Sequence, residues 1–270
     1  MIGHINQDVI LEVGDIPQFG SEEIRSFRTS LGGTGANIAI ISSLLGVPVT
    51  LISRVSRNFP EKLLGQLRRE NIELILERDE AEGPICYIVD SRQEQIAFML
   101  QGPMNTPGAI REIKSRYCHF ATSNPEWIVR QMDHCSGIIV FDPGQEIKYR
   151  WTGEMLERAI SKSHMMVLNR KEREFLGERV DAFRGDLIVT MGKEGCSLNG
   201  EAIRSESTVQ GKSTVGAGDA FRAGMYRSLY DGGDMRDACR SGNAAAAHYI
   251  RTGRSLDISN WSELRKDRNA

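Results

Sequence analysis

The stretch TVQGKSTVGAGDAFRAGM, residues 208–225, decides how the rest of the chain is read. Residues 214–219, Thr-Val-Gly-Ala-Gly-Asp, form a turn that runs straight into a helical sequence. Gly216, Ala217 and Gly218 carry little or no side chain, so the backbone can press against a ligand while unpaired amide hydrogens and the positive helix end face an anion. A phosphate is the natural occupant. Asp219 adds a carboxylate at the mouth of that pocket, where repulsion makes it a poor phosphate ligand but a good acceptor for a hydroxyl proton. The pairing implies phosphoryl transfer to an alcohol. The same residues also suit a helix start chosen for tight packing, with Asp219 complementing the helix dipole; the remainder of the chain bears on that choice.

Working outward, short apolar runs alternate with amphipathic helical patterns. VTLIS (49–53) is followed by a helix opened by Pro60, with Leu63, Leu64 and Leu67 inward, and then by IELIL (72–76). CHFA (118–121), GIIVF (137–141), MMVLN (165–169) and LIVTM (187–191) are each separated by enough residues for a helix. That is the pattern of a doubly wound α/β fold, a mostly parallel sheet covered on both faces. Two closing helices, 217–230 and 234–250, are rich in small residues and suited to close packing. Two regions break the alternation: the extended segment 8–30, and residues 85–100, where ICYIVD and QIAFML flank a polar turn like a hairpin. Together they predict a small antiparallel sheet that covers either the site, as a lid, or another subunit. Ile85, Tyr87 and Val89 on one strand, with Ile96, Phe98 and Leu100 on the other, predict a substrate-covering face that includes Phe98.

With 34 basic and 36 acidic residues among 270, the net charge of −2 gives no reason to expect a nucleic acid or a membrane surface as partner. Cys86, Cys118, Cys135, Cys196 and Cys239 are odd in number and widely spaced, which suggests neither a disulfide framework nor a zinc site. No segment has the length and apolarity of a membrane span, so the expected setting is cytoplasmic, with a small molecule as partner. The five histidines show no metal-binding spacing.

Further residues gather at the expected carboxyl edge of the sheet. Gly32 and Gly33 precede a nearly wholly apolar helix, near whose start Asn37 can offer its amide to a polyol or cap the helix. Asp8 follows the opening strand and faces the same crevice or caps a turn. Asn169 and Glu172, three apart at a helix start, share one face; they can hold a hydrated Mg²⁺ or form a capping pair. Thr190 and Gly192 end the next strand, where the glycine lets a nucleotide approach or simply turns the chain. Phe141 and Gln145 bracket a segment offering apolar and amide surface to a substrate.

Taken together these motifs resemble the ribokinase, or PfkB, family of carbohydrate kinases, from residue 1 to about residue 260. Gly32, Gly33 and Asn37 are similar to its N-terminal signature, and residues 214–219 with Phe221 and Gly224 to its C-terminal one. The resemblance implies a single ribokinase-like domain over residues 1–270, with a lid near 8–30 and 85–100. It implies ATP as donor with Mg²⁺, and Asp219 as catalytic base beside an anion hole at Gly216, Ala217 and Gly218. Asp8, Gly32, Gly33, Asn37, Phe98 and Gln145 are the implied substrate binders; Asn169, Thr190, Gly192, Thr214 and Asn243 the nucleotide binders; and Glu172 with Asn169 the Mg²⁺ pair, through water. Within the family the chain is most similar to archaeal nucleoside kinases, through Gly3-His4, the segment 119–122 before Pro125-Glu126, residues 141–145 and residues 221–224. The expected reaction is transfer of the γ-phosphoryl group to a nucleoside 5′-hydroxyl. The alternatives are a sugar kinase of the ribokinase or fructokinase type and, from another class, a catalytically silent sensor. Ser56 to Pro60 replace the family's usual Gly-x-Asp-x-x-Gly, so the hydroxyl contact of that Asp is either absent or falls to Asn58, and Ser213 in place of the common Asp leaves activation by a monovalent cation open. The lid is also a candidate homodimer contact.

Overall fold

A computed structural model describes residues 1–91, 94–205, 215–252, 261 and 264. Its strands, in chain order, are β1 (Asn6–Val13), β2 (Ile24–Gly32), β3 (Val49–Ser56), β4 (Ile72–Asp79), β5 (Ile85–Asp90), β6 (Gln95–Leu100), β7 (Ile113–Phe120), β8 (Cys135–Phe141), β9 (Met165–Asn169), β10 (Asp186–Thr190), β11 (Cys196–Leu198) and β12 (Glu201–Ile203). The helices are α1 (Thr34–Leu44), α2 (Glu61–Leu64), α3 (Pro125–Met132), α4 (Ile147–Arg150), α5 (Gly153–Lys162), α6 (Arg170–Leu176), α7 (Glu178–Asp181), α8 (Ala217–Tyr230) and α9 (Met235–Arg251). Where the sequence carries a side-chain cap the helix begins on it: Asn124 accepts from Trp127 before α3, and Asp234 from Asp237 before α9.

The central sheet runs β4-β3, then residue 2, then β7-β8-β9-β10-β11-β12. Ile2 bridges Ile52 and Phe120 in parallel, and its N–H donates to His119 O at 2.8 Å, so the opening residues join the two halves. Pairs from β4 to β10 are parallel, while β11 and β12 add an antiparallel edge that the sequence patterning does not reveal. Continuous burial along Met165, Met166, Val167 and Leu168 is what a strand covered on both faces requires. On one face Ala36, Ile40, Leu51, Ala220, Ala245 and Tyr249 pack α1, α8 and α9. On the other, Phe120, Trp127, Leu156, Leu168 and Val180 pack α3, α5, α6 and α7. The α/β layout expected from the alternation of patterns is therefore present.

The lid strands lie where expected, but their pairing corrects the antiparallel reading. The order is β2-β1-β5-β6, and the central pair, β1 with β5, is parallel. The faces also differ from expectation. Register aligns Val9 with Thr29, Tyr87 and Phe98, and Leu11 with Phe27, Val89 and Ile96; Asp8 aligns with Ser30, Cys86 and Met99, one residue out of phase. Because the side-chain period of a strand is two, Phe98 and its apolar neighbours lie on the face opposite Asp8. Phe98 is 59 % exposed and Phe27 71 %.

Helices α8 and α9 meet over small residues. A Cβ at Gly224 would stand 2.5 Å from the Ala245 Cβ and 2.6 Å from Ser241 O, on the facing helix. Gly224→Val is therefore expected to force the helices apart and lower stability by about 1–3 kcal/mol, the usual scale for overpacking. A reduced urea midpoint at unchanged slope checks it.

Candidate active site

Two helix starts converge at the carboxyl edge of the sheet. The ladder of α8 begins at Ala220, whose N–H donates to Gly216 O at 3.0 Å, so the amides of residues 217–219 precede it. Gly216 holds a left-handed φ of 83°, and a Cβ there would stand 2.9 Å from the Tyr249 ring, so the turn requires glycine. Thr214 and Ser213 lie outside the described residues. The ladder of α1 begins at Asn37, whose N–H donates to Gly33 O at 2.9 Å. Across the gap Asn37 Nδ2 donates to Asp219 Oδ2 at 2.8 Å, joining residues 182 apart in sequence. Residues on both halves of the chain, each singled out from sequence, thus share one contact.

Asp8 joins the group through backbone geometry. A Cβ at Gly32 would fall 2.3 Å from Asp8 Oδ2, so that glycine leaves the space the carboxylate occupies. Asn6 Nδ2 donates to Asp8 Oδ1. Asn6 is a site residue that the motifs do not single out, although its spacing of two from Asp8 on one strand is a readable signal of a shared face.

Charges here are partly removed from water. Burial pushes Asp219 up to about 6, against the opposing pull of Arg222 and the Asn37 hydrogen bond; Asp142 adds to the rise. Asp8 is likewise pushed up to about 6 by burial, against Asn6 and Arg28. A carboxylate near 6 is ionised at neutral pH and basic enough to accept a hydroxyl proton. Arg222, three residues along α8 from Asp219, pairs with Asp142 just beyond β8, through Nε and, at 2.5 Å, Nη2 to Oδ1. Despite its burial Arg222 is held above its usual range by Asp142, and Asp142, also buried, is held below its own by Arg222 and His119.

Other expected site residues are placed differently. Asn169 and Glu172 form a reciprocal capping box at the start of α6: Asn169 Oδ1 accepts from Glu172 N at 3.0 Å and Glu172 Oε2 from Asn169 N at 2.9 Å. Asn169 Nδ2 also donates to Glu172 Oε1 at 2.6 Å, so each carboxylate oxygen accepts one hydrogen bond within the pair. Asn243 is buried on α9 with its amide donating to Ile203 O at 3.1 Å, a brace for β12. Thr190 Oγ1 donates to Leu168 O at 3.3 Å, while a Cβ at Gly192 would meet open space within 4 Å. Gln145 is exposed beyond β8, whereas Phe141 is buried edge-to-face against Trp151 at 4.9 Å and offers no surface to a ligand. Phe98 is separated from this group by the thickness of the lid sheet, because the apolar strand alternation it belongs to points outward. Among the described residues no group of three or more His, Cys, Asp or Glu stands ready to hold a metal, and no helix is long and apolar enough to cross a membrane.

Comparison with known proteins shows the family. The model of the pfkB family of carbohydrate kinases matches residues 1–260. A nucleoside kinase of Thermoplasma acidophilum is 31 % identical over 98 % of this chain and 93 % of its own length. An ATP-dependent ribose-1-phosphate kinase of Halopiger xanaduensis is 28 % identical over 91 % of this chain and 89 % of its own. The crystal structure of the Methanocaldococcus jannaschii nucleoside kinase superposes with a TM-score of 0.82 at 24 % identity, covering 98 % of this chain and 97 % of that one. With the two signature turns meeting at Asn37 and Asp219 and the family match spanning nearly the whole chain, this protein belongs to the pfkB family of carbohydrate kinases, phosphotransferases that use ATP and an alcohol acceptor.

Proposed function

We propose that the chain phosphorylates a nucleoside at its 5′-hydroxyl, with Asp219 as the base. The observation that carries the reading is the 2.8 Å contact of Asn37 with Asp219 at the start of α8, which puts a proton acceptor beside amides suited to a phosphoryl group. In this reading Asp8, held by Asn6 and accommodated by Gly32, takes the ribose diol, and Asn37 steadies the base. The primary hydroxyl loses its proton to Asp219 as its oxygen bonds to the γ-phosphorus, and the bond to the β-γ bridging oxygen breaks. Gly216, Ala217 and Gly218 let the backbone close on the three peripheral oxygens, where the α8 dipole favours negative charge. Mg²⁺ fits through water at Glu172, a carboxylate 3 % exposed whose pKa is raised by burial and then by Asp142, so that a hydrated cation nearby would relieve it. When bound, the ion would neutralise charge on the ATP phosphates. The free thiols and the use of ATP support a cytoplasmic setting.

The lid sheet supports two roles at once. Its Asp8 face covers the site and excludes water, a competing acceptor. Its other face exposes Ile24, Phe27, Tyr87, Ile96, Phe98 and Leu100, a flat apolar surface suited to a second copy of itself about a two-fold axis. We infer a homodimer through that face. Phe27→Ser with Phe98→Ser is expected to give monomers by sedimentation equilibrium while leaving the Asp8 face intact; an unchanged assembly state would remove the lid from the interface.

Specificity is tested by supplying ATP and Mg²⁺ with a panel of nucleosides, free ribose, fructose and ribose 1-phosphate. The expected result is a kcat/KM for the best nucleoside at least tenfold above any sugar. A sugar or sugar phosphate turned over as efficiently would transfer the assignment to the sugar-kinase branch.

The pH dependence follows from the two raised carboxyls. Asp219 accepts a proton only when ionised, so kcat/KM is expected to be flat near pH 7.5 and to fall on acidification below about 6, with Asp8 steepening the decline as it too protonates. A rate independent of pH down to 5 contradicts a base with that environment.

A further inference from the structure

We propose that Arg222 and Asp142 are a positioning pair for phosphoryl transfer, locking the first turn of α8 to the end of β8 so that Asp219 and the amides before it keep one orientation. The inference rests on Asp219 as the base, and it names a pair that neither signature turn contains. Its geometry is specific. Arg222 presents Nε and Nη2 side by side to the two oxygens of Asp142, while Nη1 donates to Gly218 O at 2.9 Å, a carbonyl within the glycine turn itself. One planar guanidinium thus spans strand end and helix start, a fork that lysine cannot reproduce. Asp142 is 1 % exposed and Arg222 7 %.

The pair is anchored from behind. His119 on β7 places Nε2 3.3 Å from Asp142 Oδ2, and its Nδ1 lies 2.7 Å from the Tyr226 hydroxyl. Burial lowers the His119 pKa, so the ring is neutral. A neutral ring that accepts the Tyr226 hydroxyl at Nδ1 carries its hydrogen on Nε2, which lies beside Asp142 without closing a hydrogen bond to it. Tyr226 lies one turn beyond Arg222 on the same helix, so α8 is tied to the sheet twice, at Arg222 through Asp142 and at Tyr226 through His119. A buried ion pair of this sort contributes little net stability, because desolvation offsets most of the attraction. What it fixes is orientation, and a displacement of about 1 Å at a reacting group can lower a rate by roughly two powers of ten.

The groups that face Asp219 make the test directional. Arg222 comes from its own helix, Asp142 from the end of β8, the uncharged amide of Asn37 from α1, and Glu172 stands on α6 beyond the guanidinium. Removing the cation should make Asp219 harder to ionise, and removing the anion should make it easier. A purely structural disturbance has no reason to produce opposite signs.

The experiment reads the Asp219 carboxyl titration by ¹³C NMR together with steady-state kinetics, in wild type and in Arg222→Met, Arg222→Lys, Asp142→Asn and the double variant Asp142→Asn/Arg222→Met. Arg222→Met is expected to raise the Asp219 titration midpoint and lower kcat about 10- to 100-fold, with acceptor KM changed less than threefold. Asp142→Asn is expected to move the midpoint downward. Arg222→Lys should restore the midpoint but not kcat, since charge returns without the fork. Where Arg222→Met fails to fold, the double variant, which removes both members of the buried ion pair, decides through kcat. Midpoints that move in the same direction, or a folded Arg222→Met or double variant with kcat within twofold of wild type, would overturn the proposal. Because the titration is read without turnover, failure of the base assignment appears separately, as opposite midpoint shifts in an enzyme whose rate does not need Asp219.

Discussion

The hydrogen bond from Asn37 to Asp219 is the constraint around which the molecule is arranged. It can form only if α1 and α8 start at the same point above the sheet, which fixes the approach of both helices. For α1 this needs residues 32 and 33 without side chains, since a Cβ at Gly33 would meet His4 O at 2.5 Å and one at Gly32 would strike Asp8. For α8 it needs the left-handed turn at Gly216 and a close seat against α9. The glycines that read as signatures are therefore spacing elements, and their common product is one carboxylate held between an amide donor and a helix N-terminus.

That placement also explains the electrostatics. A carboxylate in water is too weak a base to take a proton from an alcohol with ease, and one wholly desolvated stays protonated. Asp219 lies between these limits because burial raises its pKa while Arg222 and Asn37 hold it back. The compromise depends on charges that come from separate elements, so the chemistry of the site is a property of the fold and not of the signature turn alone.

Much of this arrangement is legible in the order of the amino acids. The parallel strands stand out because each is buried on both faces, which forces runs such as MMVLN to be apolar throughout. The convergence of Asn37 and Asp219 follows from two glycine turns that each open a helix at the carboxyl edge. Other features are not encoded locally. Alternation in β5 and β6 reveals two faces but not which one looks inward, so it suggests Phe98 for the substrate side, whereas the ring is exposed on the other. The parallel pairing of β1 with β5 depends on a long crossover through the central sheet, which no local pattern specifies. Asn169 and Glu172 satisfy capping and metal-binding patterns equally well in sequence, and the structure shows the capping box. Arg222 and Asp142 fall in segments that stand out in the sequence, 221–224 and 141–145, but their pairing is visible only in the structure.

The proposed base, Asp219, is tested by Asp219→Asn with little change of shape. Turnover is predicted to fall by about two to four powers of ten, with ATP and acceptor affinities by calorimetry within roughly threefold of wild type. A folded variant that keeps more than about a third of wild-type turnover would contradict that role, leaving the glycine turn as a packing device and the phosphoryl-transfer base elsewhere.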